Sequence, residues 1–190
     1  MRHGHTAWNR AGRIQGRVDE PLDMSARHHL SGLRLPDEFN GASLVASPLE
    51  RAIETAKIVT GRAPVIAPEL IEMDWGRWEG SCGVDLLADA GSGYRHIEDW
   101  GWDFRPPGGE TPKEVWERVR PWIAPLEGST VIVSHIGIMR VLLARATGWN
   151  FDGLPPFQVK RDRLYLIDIQ SDGQLTFDNR PVRLVEAGGQ

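Results

Sequence analysis

At 190 residues the chain is long enough to bury a core without disulfide or metal staples. Apolar residues at 41% and charged residues at 25% exclude a disordered tail, and no apolar run reaches the length of a membrane span. The net charge of −4 gives no overall field for nucleic acid or anionic lipid, so any anion recognition has to come from a local cluster.

The opening "MRHGHTAWNR" places one arginine and two histidines in the first five residues, with no apolar strand ahead of them. Read alone, this is either a frayed basic terminus or one part of a site whose support is elsewhere. It is not a signal peptide, and the single cysteine, Cys82, fits a reducing compartment, so a cytoplasmic location is expected. "ASLVAS" (42–47) reads as a short buried strand. In the following "SPLERAIETAKIVTG", Ser47 is the expected N-cap and Pro48 the first helical residue. Leu49, Ala52, Ile53, Ala56 and Val59 share one face, and Gly61 ends the helix. "APVIAPEL" (63–70) reads as a second strand.

The stretch 81–108 lacks periodicity. Its Trp100 and Trp102 either plug a loop onto the core or form a lid over a pocket. Beyond it, Thr111 and Glu114 make a capping box for a helix carrying Val115, Trp116, Val119 and Ile123, which Pro121 is expected to kink or end. Thr130–Ser134 is apolar and β-branched, as in a central strand covered on both faces. His135 ends it, and a helix follows over about 137–146. Residues 163–169 form another strand, with "LTFDN" beside it. Alternating strands and helices define one layered α/β domain over 1–190, with a mostly parallel sheet and a lid or insertion near 81–108.

Ligand sites in such sheets lie beyond the carboxyl ends of the strands. Arg51, in the first turn of a helix entered from a strand, and His135, at a strand end, both belong to that edge. Helix N-termini there favour an anion, and Arg2, His3 and His5 placed beside them would complete a pocket suited to a phosphoryl group.

At this point the sequence resembles a known family. "RHGHTAWNRAGRIQGRVDEPL", "SPLERAIETA", "EMDWGRWEG", "PPGGET" and "VSHIGIMR" are similar, in order, to the motifs of the histidine phosphatase superfamily, also called phosphoglycerate mutase-like proteins. The resemblance implies a three-layer sandwich with a central parallel sheet. It makes His3 the nucleophile, Glu72 the acid and base, and Arg2, Arg51 and His135 the phosphate-binding groups. Asn9, Gly16 and the backbone N–H of Ile136 would add contacts to the substrate phosphate. Glu72 is favoured over Asp74 and Glu79 by its spacing to Gly76, while His28, His29 and His96 are expected on solvated surfaces.

The implied partner is a small phosphomonoester, hydrolysed without cofactor or metal; nucleic acid and membrane are not expected. A mutase of the family is the main alternative. It would carry a basic insertion, whereas the segment from Ser81 to Phe104 is acidic, with Arg95 its one lysine or arginine. A metal site of His3, His5 and His135, or a binder of phosphorylated ligands without catalysis, are further readings.

Three departures from the family pattern stand out. The apolar strand that relatives carry before Arg-His-Gly is missing, which leads to the expectation of a start upstream of Met1. Ile136 replaces the usual glycine and would be strained if its turn needs a positive φ. His5 replaces an acidic or amide residue.

Overall fold

A computed structural model describes residues 1–188. In chain order its helices and strands begin with α1 (Ala7–Arg10), α2 (Met24–Ser31), β1 (Leu33–Arg34), β2 (Ser43–Ala46), α3 (Glu50–Thr60) and β3 (Val65–Ile66). Next come α4 (Gly83–Ala88), α5 (Pro112–Ile123), β4 (Thr130–Val133) and α6 (Ile136–Thr147). The chain ends in β5 (Arg163–Leu164), β6 (Ile167–Ile169), β7 (Leu175–Phe177), β8 (Val182–Arg183) and β9 (Val185–Glu186).

Strands β3, β2 and β4 lie side by side in that order, all parallel, with Val45 opposite Ile132 and Ala46 opposite Val133. Successive side chains of a strand point to opposite faces, and the two cores follow that alternation. Leu44, Ala46, Val131 and Val133 pack with Leu30 of α2 and Ala52, Ala56 and Val59 of α3. Val45 and Ile132 turn the other way, to Val115, Val119 and Ile123 of α5 and Ile138 and Val141 of α6. The architecture is therefore helix, parallel sheet, helix. No helix among the described residues is long and apolar enough to cross a membrane.

Several local expectations need correction. Strand β4 is not central. Thr130 and Ile132 are only half-buried, and its outer edge faces a cleft of about 480 Å³ lined by Met1, Thr130, Ile132, Tyr165 and Ile167, among others. Across that edge the chain's first residues take the ladder position at one end. Met1's ammonium donates to Ile132 O at 2.5 Å, Ser134 N–H to Met1 O at 3.0 Å, and His3 N–H to Ser134 O at 3.0 Å. Burial pulls the pKa of that ammonium down to about 5.

Helix α3 starts at Glu50, with Leu49 in the capping position, because the Ser47 hydroxyl is engaged elsewhere. Pro121 does not end α5. It lies exposed in the last turn, and the helix runs on to Ile123. The strand at 63–70 is two residues long and passes into a 3-10 turn at Pro68, which cannot donate to a ladder. Residues 163–169 divide between two partners, β5 pairing with β8 and β6 with β7.

Candidate active site

Five of the sequence-predicted residues meet at the carboxyl edge of the sheet. His135 occupies the capping position of α6 and is fully buried, Arg51 lies in the first turn of α3, and His3 sits beside the end of β4. The imidazole centroids of His3 and His135 are 5.1 Å apart. Arg2, Arg51 and the His135 ring all lie close enough to bear on His3, and the charges of Arg2 and Arg51 bear on Glu72.

His3 Nδ1 lies 2.7 Å from the carbonyl of Gly4. A carbonyl only accepts, so Nδ1 carries the proton and Nε2 keeps its lone pair. The next peptide is fixed by Gly4 N–H donating to Thr55 Oγ1 at 3.0 Å, and Thr55 in turn donates to Arg51 O at 2.6 Å. Ser47, expected as a helix cap, instead bonds His135 Nε2 at 2.6 Å and accepts the Leu49 N–H at 3.3 Å. Among the acidic candidates, only Glu72 is enclosed. Its carboxylate accepts from Met73 N–H at 2.8 Å and Gly137 N–H at 3.2 Å. A Cβ on Gly137 would stand 2.4 Å from Glu72 Oε1, so the start of α6 can approach the carboxylate only with glycine there.

Asp74 and Glu79 have structural work. Asp74 caps Gly76 N–H and pairs with Arg17, and Glu79 Oε1 accepts the N–H groups of Gly16 and Val18 at 2.9 and 2.6 Å. Gly76 sits at φ +52°, where a Cβ would stand 2.3 Å from Pro107 O, and a Cβ on Gly109 would stand 2.4 Å from Asp74 O, so both positions call for glycine.

Burial sets the charge states. It holds the pKa of both His3 and His135 well below the usual imidazole value, helped at His3 by His135, Arg51 and Arg2 and at His135 by Arg51 and Arg2. The Glu72 carboxyl is pushed up by burial, against the pull of its two N–H donors and of Arg51 and Arg2. Burial also brings Arg2 down to about 9, with Arg161 the strongest of the neighbouring cations. The buried side-chain polar atoms without a hydrogen-bond partner, among the described residues, are Arg2 Nε, His5 Nδ1, Gln15 Nε2, Arg51 Nε and His135 Nδ1. All five belong to this cluster or to the loop over it. Buried polar groups are normally paired, so these five are free to bond to a group bound beside them. Among the described residues no three His, Cys, Asp or Glu side chains gather closely enough to hold a metal ion.

The predicted substrate contacts fare unevenly. Asn9 is fully engaged within the loop: Oδ1 accepts from Thr6 N–H and from Arg161, and Nδ2 donates to Gln15 Oε1 at 2.9 Å. The Gly16 N–H is spent on Glu79, so Gly16 offers the pocket no donor; the unpaired amide on that loop is Gln15 Nε2. Ile136 opens α6 without a positive φ, so the strain feared at this position is absent and its N–H belongs to the helix's unpaired first turn.

Arg51 does not pair with Glu50 or Glu54. It is fully buried, with Nη1 on Val18 O at 2.9 Å and Nη2 on Gly16 O at 2.6 Å, while Glu54 pairs with Arg27. His28, His29 and His96 are exposed. Trp100 is a core residue against Trp75 and Phe104, and Trp102 stacks under Arg145 with its indole N–H on Asn150. Arg105 pairs with Glu114, and Tyr94 comes near Arg140. Sequence reasoning missed Thr55, Gln15, Arg140 and Arg161. None lies in a local pattern that names it, although Thr55, Gln15 and Arg140 fall inside stretches already quoted.

The fold is a layered α/β architecture, and the chain belongs to the histidine phosphatase superfamily (branch 1), whose profile matches residues 1–178. It is 33% identical over 181 residues to the adenosylcobalamin/alpha-ribazole phosphatase of Escherichia coli (strain K12), covering 89% of this chain and 88% of that one. It is 32% identical over 174 residues to a protein called a probable phosphoglycerate mutase, GpmB, of Enterobacter sp. (strain 638), covering 86% and 78%. The crystal structure of phosphoglycerate mutase from Thermus thermophilus superposes with a TM-score of 0.71 at 30% identity, over 97% of this chain and 95% of that one.

Proposed function

We propose that the protein is a phosphomonoester phosphatase that works through a phosphohistidine and needs no metal. The observation that carries this reading is the gathering of the buried unpaired polar atoms around His3, whose ring is held with Nε2 free. In the first step Nε2 of His3 attacks phosphorus, the N–P bond forms, and the bond to the leaving oxygen breaks. Glu72, whose pKa burial raises, gives a proton to the leaving alkoxide. In the second step Glu72 takes a proton from water, whose oxygen attacks phosphorus while the N–P bond breaks. Inorganic phosphate leaves and His3 returns to its neutral form. Arg2, Arg51, His135 and Gln15 supply donors to the non-bridging oxygens, in a site where these donors are already oriented.

Relatives named as phosphatases and as mutases both match, so the choice between them rests on the residues around Glu72. A mutase must hold a second anionic group of its substrate while the phosphoryl group returns. The one arginine of segment 81–104, Arg95, is exposed over the ring of Phe104, and the segment's other charged residues are acidic. That supports water as the final acceptor. The test is release of phosphate from p-nitrophenyl phosphate in EDTA, alongside incubation with 2- and 3-phosphoglycerate. Turnover in EDTA without interconversion of the two phosphoglycerates is expected. Activity abolished by EDTA, or rapid interconversion, would contradict it.

A further inference from the structure

We propose that Arg161 is a positioning residue of this site: one guanidinium that fixes both the backbone of the nucleophile and the amide of Asn9. The inference rests on the phosphatase reading above. Nothing in the sequence around Arg161 announces it, and it lies 158 residues from His3 in the chain. Its Nε donates to His3 O at 3.0 Å and its Nη2 to Asn9 Oδ1 at 2.7 Å. No carboxylate pairs with it among the described residues, so this partly buried cation is held in place by the nucleophile loop rather than by an ion pair.

The backbone is shaped for this reach. The next residue, Asp162, is left-handed at φ +58°, a costly conformation for a residue with a side chain. Two bonds hold it there: Leu184 N–H donates to Asp162 O at 2.9 Å, and His29 Nε2 lies 2.8 Å from Asp162 Oδ2. That turn, just before β5, aims Arg161 back at the first residues of the chain.

Two consequences follow. Arginine can only donate, so it fixes the Asn9 amide with oxygen toward Arg161 and nitrogen toward Gln15. Gln15 Oε1 is thereby occupied, and its unpaired nitrogen is left to face the anion. The charge also bears on the imidazole. The charged and titratable groups facing His3 are His135 at the start of α6, Arg51 in α3, Arg2 beside it and Arg161, and each cation favours the neutral, nucleophilic ring. Burial lowers the pKa of Arg161 itself to about 10, which leaves it charged at neutral pH.

Arg161→Gln, Arg161→Lys and, as a control, Arg10→Gln would be compared with the unchanged protein. Arg10 is an exposed arginine of the same neighbourhood, bonded to Asp23. One readout is the His3 ring titration by NMR, which needs no turnover. The other is kcat and KM for p-nitrophenyl phosphate in EDTA. For Arg161→Gln the His3 titration is expected to move to higher pH, with kcat down about 10- to 100-fold and KM nearly unchanged. Arg161→Lys keeps the charge but cannot span both oxygens. It should leave the titration in place and recover only part of kcat.

Arg10→Gln should match the unchanged protein in both. An unmoved His3 titration in Arg161→Gln, or full kcat in Arg161→Lys, overturns the proposal. Should Arg161→Gln fail to fold, the lysine variant decides alone. Should the unchanged protein release no phosphate, the phosphatase reading fails by itself, and the titration still decides whether Arg161 acts on His3.

Discussion

The two walls of the pocket are built in different ways. His135, Arg51 and Glu72 are placed by regular structure: a strand end, the first turn of α3, and backbone donors at the start of α6 and after Glu72 itself. Arg2 and His3 belong to no helix or strand, and contacts from far along the chain hold them. Met1 is tied to Ile132 across 131 residues, Gly4 to Thr55 across 51, and His3 to Arg161 across 158. One wall stands on the ends of regular elements. The other exists only once the whole domain has closed around it, and it carries the nucleophile.

Substitutions separate the walls, and the largest effect should fall on the one held by distant contacts. His3→Ala should lower kcat by about 10⁴-fold or more with little change in melting temperature, since removing a covalent nucleophile leaves only binding and electrostatics. On the other wall, Glu72→Gln keeps shape and hydrogen bonding but loses the proton, for about 10²–10⁴-fold in kcat. It should also change the pH profile. Burial raises the Glu72 pKa, so kcat/KM in the unchanged protein falls on the alkaline side as the carboxyl loses its proton; the glutamine variant should lack that limb.

Stability carries the opposite signs on the two kinds of group. The folded-state values of His3 and His135 lie below the ordinary 6.5, so their contribution is complete above that pH and is lost as the pH falls toward the folded values. The folded-state value of Glu72 lies above the ordinary 4.5, so its contribution is present below 4.5 and is lost as the pH rises through the raised value. Melting curves across that acid range should show a decline below 6.5 that is shallower in His135→Gln.

Gly137→Ala sharpens the comparison without touching a titratable group. Its new methyl would collide with Glu72 Oε1 at 2.4 Å, and kcat should fall about 100-fold from misplacement alone, while phosphate binding is retained. Equal kcat would mean that α6 does not set the position of Glu72. The smallest effects should come from matched losses of one hydroxyl on each wall. Ser47→Ala releases His135, Thr55→Val releases Gly4, and each should cost about 1 kcal/mol in chemical denaturation. Of the two, Thr55→Val should lower kcat more, because the peptide it frees follows the nucleophile.

What the sequence revealed divides along the same line. Arg51 and His135 were legible because strand-to-helix junctions carry their own signals, and the apolar faces of α3 and α5 placed the two layers. Ser47 shows where such signals mislead: a good capping residue was claimed by His135 from 88 residues away. Gly16 was expected to contact a substrate phosphate, and only the folded chain puts Glu79 on its N–H. Arg161 and Thr55 could not be found, because their partners come to them through tertiary structure alone.

The most direct measurement is rapid quench of the protein turning over a labelled phosphomonoester, followed by mapping of the bound phosphoryl group. A phosphoryl group on Nε2 of His3, labile in acid, stable in alkali and absent from His3→Ala, is the predicted result. Labelled phosphate released at the normal rate by His3→Ala, or a phosphoryl group trapped on any other side chain, would contradict the account.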